Sequence, residues 1–190
     1  MTEKDYCLIG YIGLLLVGRF ISQKQRKSEK LAGQARKIIH DPTAIIMIFG
    51  VIIAFAVPLI EVNVRKLFEI SWLALISGVI IIVAGWLLIY SANQTIAENW
   101  SPSIEKTETQ QLITQGVYGV IRHPLYLSGL LILAGTNIYF LNQWSWFTVI
   151  LAFVVVLYRI PIEERHLEER FGNRYLVYQQ KTKSLFPYIW

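Results

Sequence analysis

Two clusters in the second half of the chain have residue types and spacings that chemistry can use. The first is Gly116-Val117-Tyr118, followed by Arg122-His123-Pro124-Leu125-Tyr126. Proline suits the first turn of a helix, where its missing N–H would be unpaired anyway. A helix that begins at Pro124 puts His123 at its N-cap. The free N–H groups and the dipole at such an end favour an anion, such as the carboxylate of an amino-acid-like ligand. The bland reading is that Arg122 and His123 merely flank an apolar helix.

The second cluster is Arg159, Glu163, Glu164 and His166. Arg159 and Glu163 stand at i and i+4, on one face of a helix. A carboxylate pair beside an arginine at a bilayer boundary is a candidate site. A local surface ion pair, worth under about 1 kcal/mol, would explain the same spacing. Other chemistries are missing from the sequence: there is no phosphate-binding glycine loop and no G-x-S-x-G elbow. The histidines His40, His123 and His166 lack a metal-ligand spacing, so no metal is expected. The single cysteine, Cys7, lies in an apolar run and reads as a small buried hydrophobe.

The elements that position these clusters are apolar. The chain has 190 residues, of which 54% are hydrophobic and 16% charged. Soluble domains carry about 25% charged residues. A membrane-spanning helix needs about 17–25 mostly apolar residues, and about five stretches qualify. They are 6–22, 43–60, 70–92, 124–141 and 144–160. The last two are joined by Asn142 and Gln143 and form a tight helical hairpin. Residues 1–5 are not basic and no small-residue cleavage site follows the first run, so that run is expected to be retained. The fold class is an all-α membrane protein, a single domain over 1–190, with the first three spans in 1–92.

Basic residues set the expected orientation. Arg19, Lys24, Arg26, Lys27, Lys30, Arg36 and Lys37 follow the first span. Lys106 and Arg122 lie in the polar connector 93–121 or just after it, and Arg159, Arg165, Arg170, Arg174, Lys181 and Lys183 in or near the tail. The opposite side has Lys4, Arg65 and Lys66. The excess of positive charge belongs in the cytosol, which puts the N-terminus outside and the C-terminus inside. The net charge of +5 is therefore read as membrane orientation. No nucleic-acid motif accompanies it.

Taken together, the two clusters resemble those of isoprenylcysteine carboxyl methyltransferases and their phospholipid methyltransferase relatives. The residues are Gly116-x-Tyr118-x4-His123-Pro124-x-Tyr126 and, across one hairpin, Arg159-x3-Glu163-Glu164-x2-Leu167-x3-Phe171-Gly172-x2-Tyr175-x2-Tyr178, then Thr182 and Pro187. The match covers 99–187, expected to be the methyltransferase core. The resemblance implies S-adenosylmethionine as methyl donor, in a pocket closed by the cytosolic connector and a C-terminal helix. It implies cofactor contacts at Tyr118, His123, Pro124, Leu125, Tyr126 and Glu163, and at Gln110, Gln111, Leu112 and Ile113. Gln110 stands where the family has histidine. Arg159 would face and bind the methyl acceptor, with Glu164 supporting it. The eukaryotic carboxyl methyltransferases are longer, so the chain resembles a short, prokaryotic form.

Methyl transfer is an in-line displacement that needs donor and acceptor about 3–3.5 Å apart. A carboxylate acceptor is already ionised and needs no base. An amine acceptor must lose a proton, for which Glu164 or His166 is the nearest candidate. A phospholipid amine or thiol acceptor is the alternative within this class. A non-enzymatic transporter or scaffold, and a membrane reductase of the sterol-reductase type, are the rivals outside it. The expected partners are a lipid-linked or prenylated acceptor and the bilayer, with no nucleic acid.

Overall fold

In the computed structural model the described residues are 3–24, 56–57, 60, 71–98, 112–140 and 145–187. They form five α-helices and one 3-10 turn, with no named strand among them. These are α1 (Glu3–Lys24), α2 (Trp72–Glu98), the turn Gly116–Gly119, α3 (Pro124–Tyr139), α4 (Trp146–Phe171) and α5 (Asn173–Lys181). Most of the expected span 43–60, and the Asn142-Gln143 turn, lie outside the described residues.

Helices α2 and α4 are long and apolar enough to cross a membrane; α3 is a shorter apolar helix. Only 22% and 17% of the most apolar stretches of α2 and α4 are buried. A soluble core helix would be covered on most sides. Here Leu73, Ile76, Ile80 and Leu87 on α2, and Ile150, Leu151 and Val154 on α4, are exposed. Such a surface suits lipid better than water.

Both long helices outrun the apolar stretches that announced them. Helix α2 continues past Ala92 to Glu98 and so takes Asn93, Gln94 and Thr95 from the expected connector. No proline interrupts it, and the Thr95 hydroxyl donates to the Ser91 carbonyl at 2.9 Å. Helix α4 continues past Ile160 to Phe171, with Pro161 inside it. Loss of apolarity at Ile160 marks where the lipid-facing segment ends, while the helix itself runs on. Interior proline forfeits one hydrogen bond, but the residues after it (Ile162, Glu163, Glu164, Arg165) tolerate a helix well. Gly172 then turns the chain into α5.

Helices α2 and α3 pack closely. A Cβ on Gly78 would come within 2.7 Å of the Tyr139 backbone, and one on Gly135 within 2.8 Å of Ile82. Helix α1 joins them through polar atoms: the Tyr11 and Thr136 hydroxyls are 2.8 Å apart, and the Tyr139 hydroxyl donates to the Cys7 carbonyl at 3.0 Å. Cys7, Tyr11, Ile82, Ile132, Tyr139 and Phe140 form the core there. A second cluster, Leu130, Val156, Ile160 and Leu185, brings α3, α4 and the C-terminal arm together under the two motifs.

Candidate functional site

The site forms where the start of α3, the outer part of α4 and the arm after α5 meet. His123 is the N-cap of α3 and Pro124 opens the helix, as the motif predicts. The His123 side chain does not cap the helix. Its ring is instead buried between the two α4 carboxylates, with Nε2 3.2 Å from Glu164 Oε1 and Nδ1 4.0 Å from Glu163 Oε2. Tyr126, one turn along α3, stacks on that ring with centroids 5.6 Å apart. Its hydroxyl donates to Glu163 Oε2 at 2.8 Å and lies within interaction range of Arg159. Arg159, Tyr126 and Glu163 therefore converge, joined through the Tyr126 hydroxyl.

The connector supplies Tyr118. It sits in the 3-10 turn that begins at Gly116, whose φ is +57. An L side chain there would be strained, and its Cβ would also fall 2.5 Å from the Thr95 hydroxyl of α2. Burial, and then the nearby Glu163 charge, push the Tyr118 phenol up to about 12. Leu112 and Ile113 are half-buried before this turn, while Gln110 and Gln111 lie outside the described residues. Pro124 is buried. Leu125 is exposed on the first turn of α3, and His166 is exposed on α4.

The twin carboxylates have different surroundings. Successive residues on a helix point about 100° apart, so Glu163 and Glu164 meet opposite nitrogens of the His123 ring and differ in their other partners. The Glu163 side chain is 44% exposed, whereas that of Glu164 is 14% exposed. Glu164 Oε1 accepts from Arg122 Nε at 2.7 Å and Oε2 from Gln179 Nε2 at 3.0 Å. Ser184 Oγ lies a further 3.4 Å from Oε1. Burial alone would raise the Glu164 carboxyl. The His123 and Arg122 hydrogen bonds, the Arg122 charge and Gln179 outweigh it and hold the group at about 2. An ionised carboxylate only accepts, so His123 Nε2 carries the proton of that contact.

Arg122, which could have been a mere flank of the apolar helix, has several partners. Besides Glu164, its Nη1 donates to the Thr182 carbonyl at 2.6 Å and the Gln179 carbonyl at 3.1 Å. The backbone follows the same route. Arg122 and His123 N–H donate to the Lys183 and Ser184 carbonyls, and Lys183 N–H to Val120, forming a short parallel bridge. The Tyr178 hydroxyl donates to the Tyr118 carbonyl at 2.7 Å.

Among the described residues, helices that include two candidate membrane spans gather an R-H-P-x-Y motif and paired carboxylates at one apolar boundary, which places the chain in the class of helical membrane proteins. Within that class, a phospholipid methyltransferase family model matches residues 73–174, more than half of the chain, and the chain belongs to that family. It is 33% identical over 119 residues to protein-S-isoprenylcysteine O-methyltransferase B of Arabidopsis thaliana, covering 59% of this chain and 58% of that protein. It is 31% identical over 133 residues to protein-S-isoprenylcysteine O-methyltransferase of Xenopus laevis, covering 64% and 43%. It is 30% identical over 136 residues to the Homo sapiens protein of that name, covering 65% and 44%. The match thus spans less than two thirds of each relative's own length. These relatives are plant and animal proteins, whereas length had suggested a prokaryotic form.

Proposed function

We propose that this chain is an integral-membrane, S-adenosylmethionine-dependent methyltransferase acting on the carboxylate of a prenylcysteine-like or other lipid-linked acceptor. The observation that carries the reading is the gathering of Tyr118, His123, Tyr126 and Glu163 just beyond the apolar part of α4. A half-exposed carboxylate held by a tyrosine hydroxyl, among aromatic rings, fits a cationic ligand. S-adenosylmethionine, when bound, supplies an electrophilic methyl group on a sulfonium.

The chain's own residues then divide the work. Glu163 binds the ligand's ammonium, and Tyr126 orients Glu163. Tyr118, Leu112, Ile113, Pro124 and Leu125, with Gln110 and Gln111, shape the rest of the cofactor site, closed by the connector and α5. Arg159 orients the acceptor carboxylate by a bidentate contact. Glu164 acts as a clamp, a change from the expected support of Arg159. A carboxylate occupied by several donors and held at about 2 is a poor proton acceptor near neutral pH. That disfavours an amine acceptor deprotonated by Glu164 and favours one already ionised.

The core of the enzyme is 99–187. The bundle has about five spans with a cytosolic C-terminus, which lets a charged cytosolic donor and a lipid-anchored acceptor meet at the boundary. Calorimetric titration of the purified protein with S-adenosylmethionine, followed by methyl transfer to a farnesylated thiol acid, tests the reading. Failure to bind the donor would overturn it. Binding without carboxylate methylation, but with transfer to a phospholipid amine or a thiol, would replace the acceptor.

A further inference from the structure

We infer that Arg122 is a positioning residue that latches the C-terminal arm over the cofactor site and fixes the ring of His123; this rests on the methyltransferase reading. Arg122 touches neither reacting atom in that reading. Its guanidinium instead joins pieces far apart in sequence: Glu164 on α4 and the carbonyls of Gln179 and Thr182 where α5 ends. The backbone N–H groups of Arg122 and His123 bind the next two carbonyls, of Lys183 and Ser184. One dipeptide therefore fastens the whole 179–184 segment.

The same contact orients His123. Glu164 Oε1 receives Arg122 Nε and His123 Nε2 together. Arg122 thus places the carboxylate that directs the proton of Nε2, and Nδ1 is left turned toward Glu163. The planar fork suits this task. A guanidinium can reach a carboxylate through Nε and two carbonyls through Nη1 in one plane, and an ammonium cannot copy that geometry. The 14% exposure of Glu164 shows that the joint is largely closed to water, where charged hydrogen bonds keep most of their strength.

The latch predicts a particular kinetic signature. If the closed arm is required for tight binding, a loosened latch lowers the closed fraction and raises the apparent Kd in proportion, while saturating ligand restores closure. Arg122→Lys should raise KM for S-adenosylmethionine roughly tenfold or more and lower kcat by less than about threefold. Hydrogen exchange at the Arg122, His123 and Lys183 amides should quicken roughly tenfold, with α2 amides around Ile82 unchanged. Saturating donor should slow the arm again. Glu164→Gln, nearly the same shape, should reproduce the exchange effect, and the double variant should add little.

If wild type binds no S-adenosylmethionine, the functional reading fails, and the exchange comparison still decides the latch. Wild-type exchange in both variants overturns it, and so does a fall in kcat with KM unchanged. If Arg122→Lys does not fold, exchange in Glu164→Gln decides between a latch and no latch.

Discussion

Glu163→Gln removes one negative charge while keeping the side chain's size and an oxygen for the Tyr126 hydroxyl, which now donates to Glu163 Oε2 at 2.8 Å. Folding should change little, because the side chain is 44% exposed and exposed charges contribute under about 1 kcal/mol. Ligand binding should change more. Opposite unit charges about 4 Å apart attract by about 4 kcal/mol at an effective dielectric of 20, before desolvation is subtracted. Hydrogen bonds to charged groups contribute about 1.5–3 kcal/mol net. Half exposure favours the lower end, so affinity should fall about 10- to 30-fold, since 1.4 kcal/mol is tenfold. Calorimetry with S-adenosylmethionine and with S-adenosylhomocysteine gives the comparison. The second ligand keeps the ammonium and lacks the sulfonium, so equal losses assign Glu163 to the ammonium. The Tyr118 phenol supplies a readout without ligand. It stands at about 12 through burial and then the Glu163 charge; ultraviolet titration of the variant should show it lower, though still above an ordinary tyrosine. Wild-type affinity in Glu163→Gln, together with an unmoved Tyr118, would refute the placement and the role.

Four other outcomes follow from the same geometry. Arg159→Ala should keep donor binding and lose methylation of a farnesylated thiol acid, and Arg159→Lys should restore little, because an ammonium lacks the planar fork; full turnover in Arg159→Ala would remove Arg159 from acceptor binding. The Glu164 carboxyl is held at about 2, below its ordinary 4.5, so its contribution is complete above about 4.5 and lost as pH falls toward 2. Amide exchange at Lys183 should therefore quicken across that window more in wild type than in Glu164→Gln. Gly78→Leu should destabilise the α2–α3 pair by about 1–3 kcal/mol or more, since overpacking cannot be relieved against Tyr139 backbone; an unchanged melting temperature would contradict the close approach. On a Cys7→Ser background, Lys183→Cys should resist an impermeant thiol reagent applied to intact cells, and labelling there would reverse the topology.

How much of this could be read in advance depended on sequence separation. Pro124 announced a helix start, and the structure puts His123 at the N-cap. The apolar runs at 70–92 and 144–160 located α2 and α4, because a continuous apolar stretch is a local signal. Helix α2 runs on beyond its apolar stretch, because polarity reports the lipid boundary while helix formation continues through Asn93 and Thr95; for α4 the i, i+4 spacing of Arg159 and Glu163 already carried the helix past Ile160. Spacing paired Arg159 with Glu163, one turn apart. The Glu164 partner in the structure, Arg122, is 42 residues away, and the Thr182 carbonyl is 60 residues from Arg122. Local periodicity cannot reach such a contact. One signal was available: adjacent glutamates on a helix face different directions, so one of them needed a partner from another element.

That difference in direction also explains why the boundary is built this way. In the proposed reaction an acceptor from the bilayer and a donor from water need a site that opens to both, and a buried unpaired carboxylate in such a place would be costly. The chain resolves the conflict by separating two tasks between neighbours. Glu164 turns inward, where Arg122, His123 and Gln179 compensate its charge and the arm is fastened. Glu163 turns outward, steadied by the Tyr126 hydroxyl, and stays 44% exposed, as the proposed ammonium contact requires. The two amide substitutions should therefore weaken donor binding by different routes. Glu164→Gln, with Glu163 retained, leaves the latch without an ionised acceptor while the ligand carboxylate stays intact. Donor affinity should then fall because less of the protein has the arm closed, and the loss should shrink as donor concentration rises. Loss of affinity in Glu163→Gln should persist as an intrinsic weakening with the arm still closed. Amide exchange at Lys183 distinguishes the cases: fast in the first variant, as wild type in the second. Identical exchange in both would mean that the two carboxylates share one role.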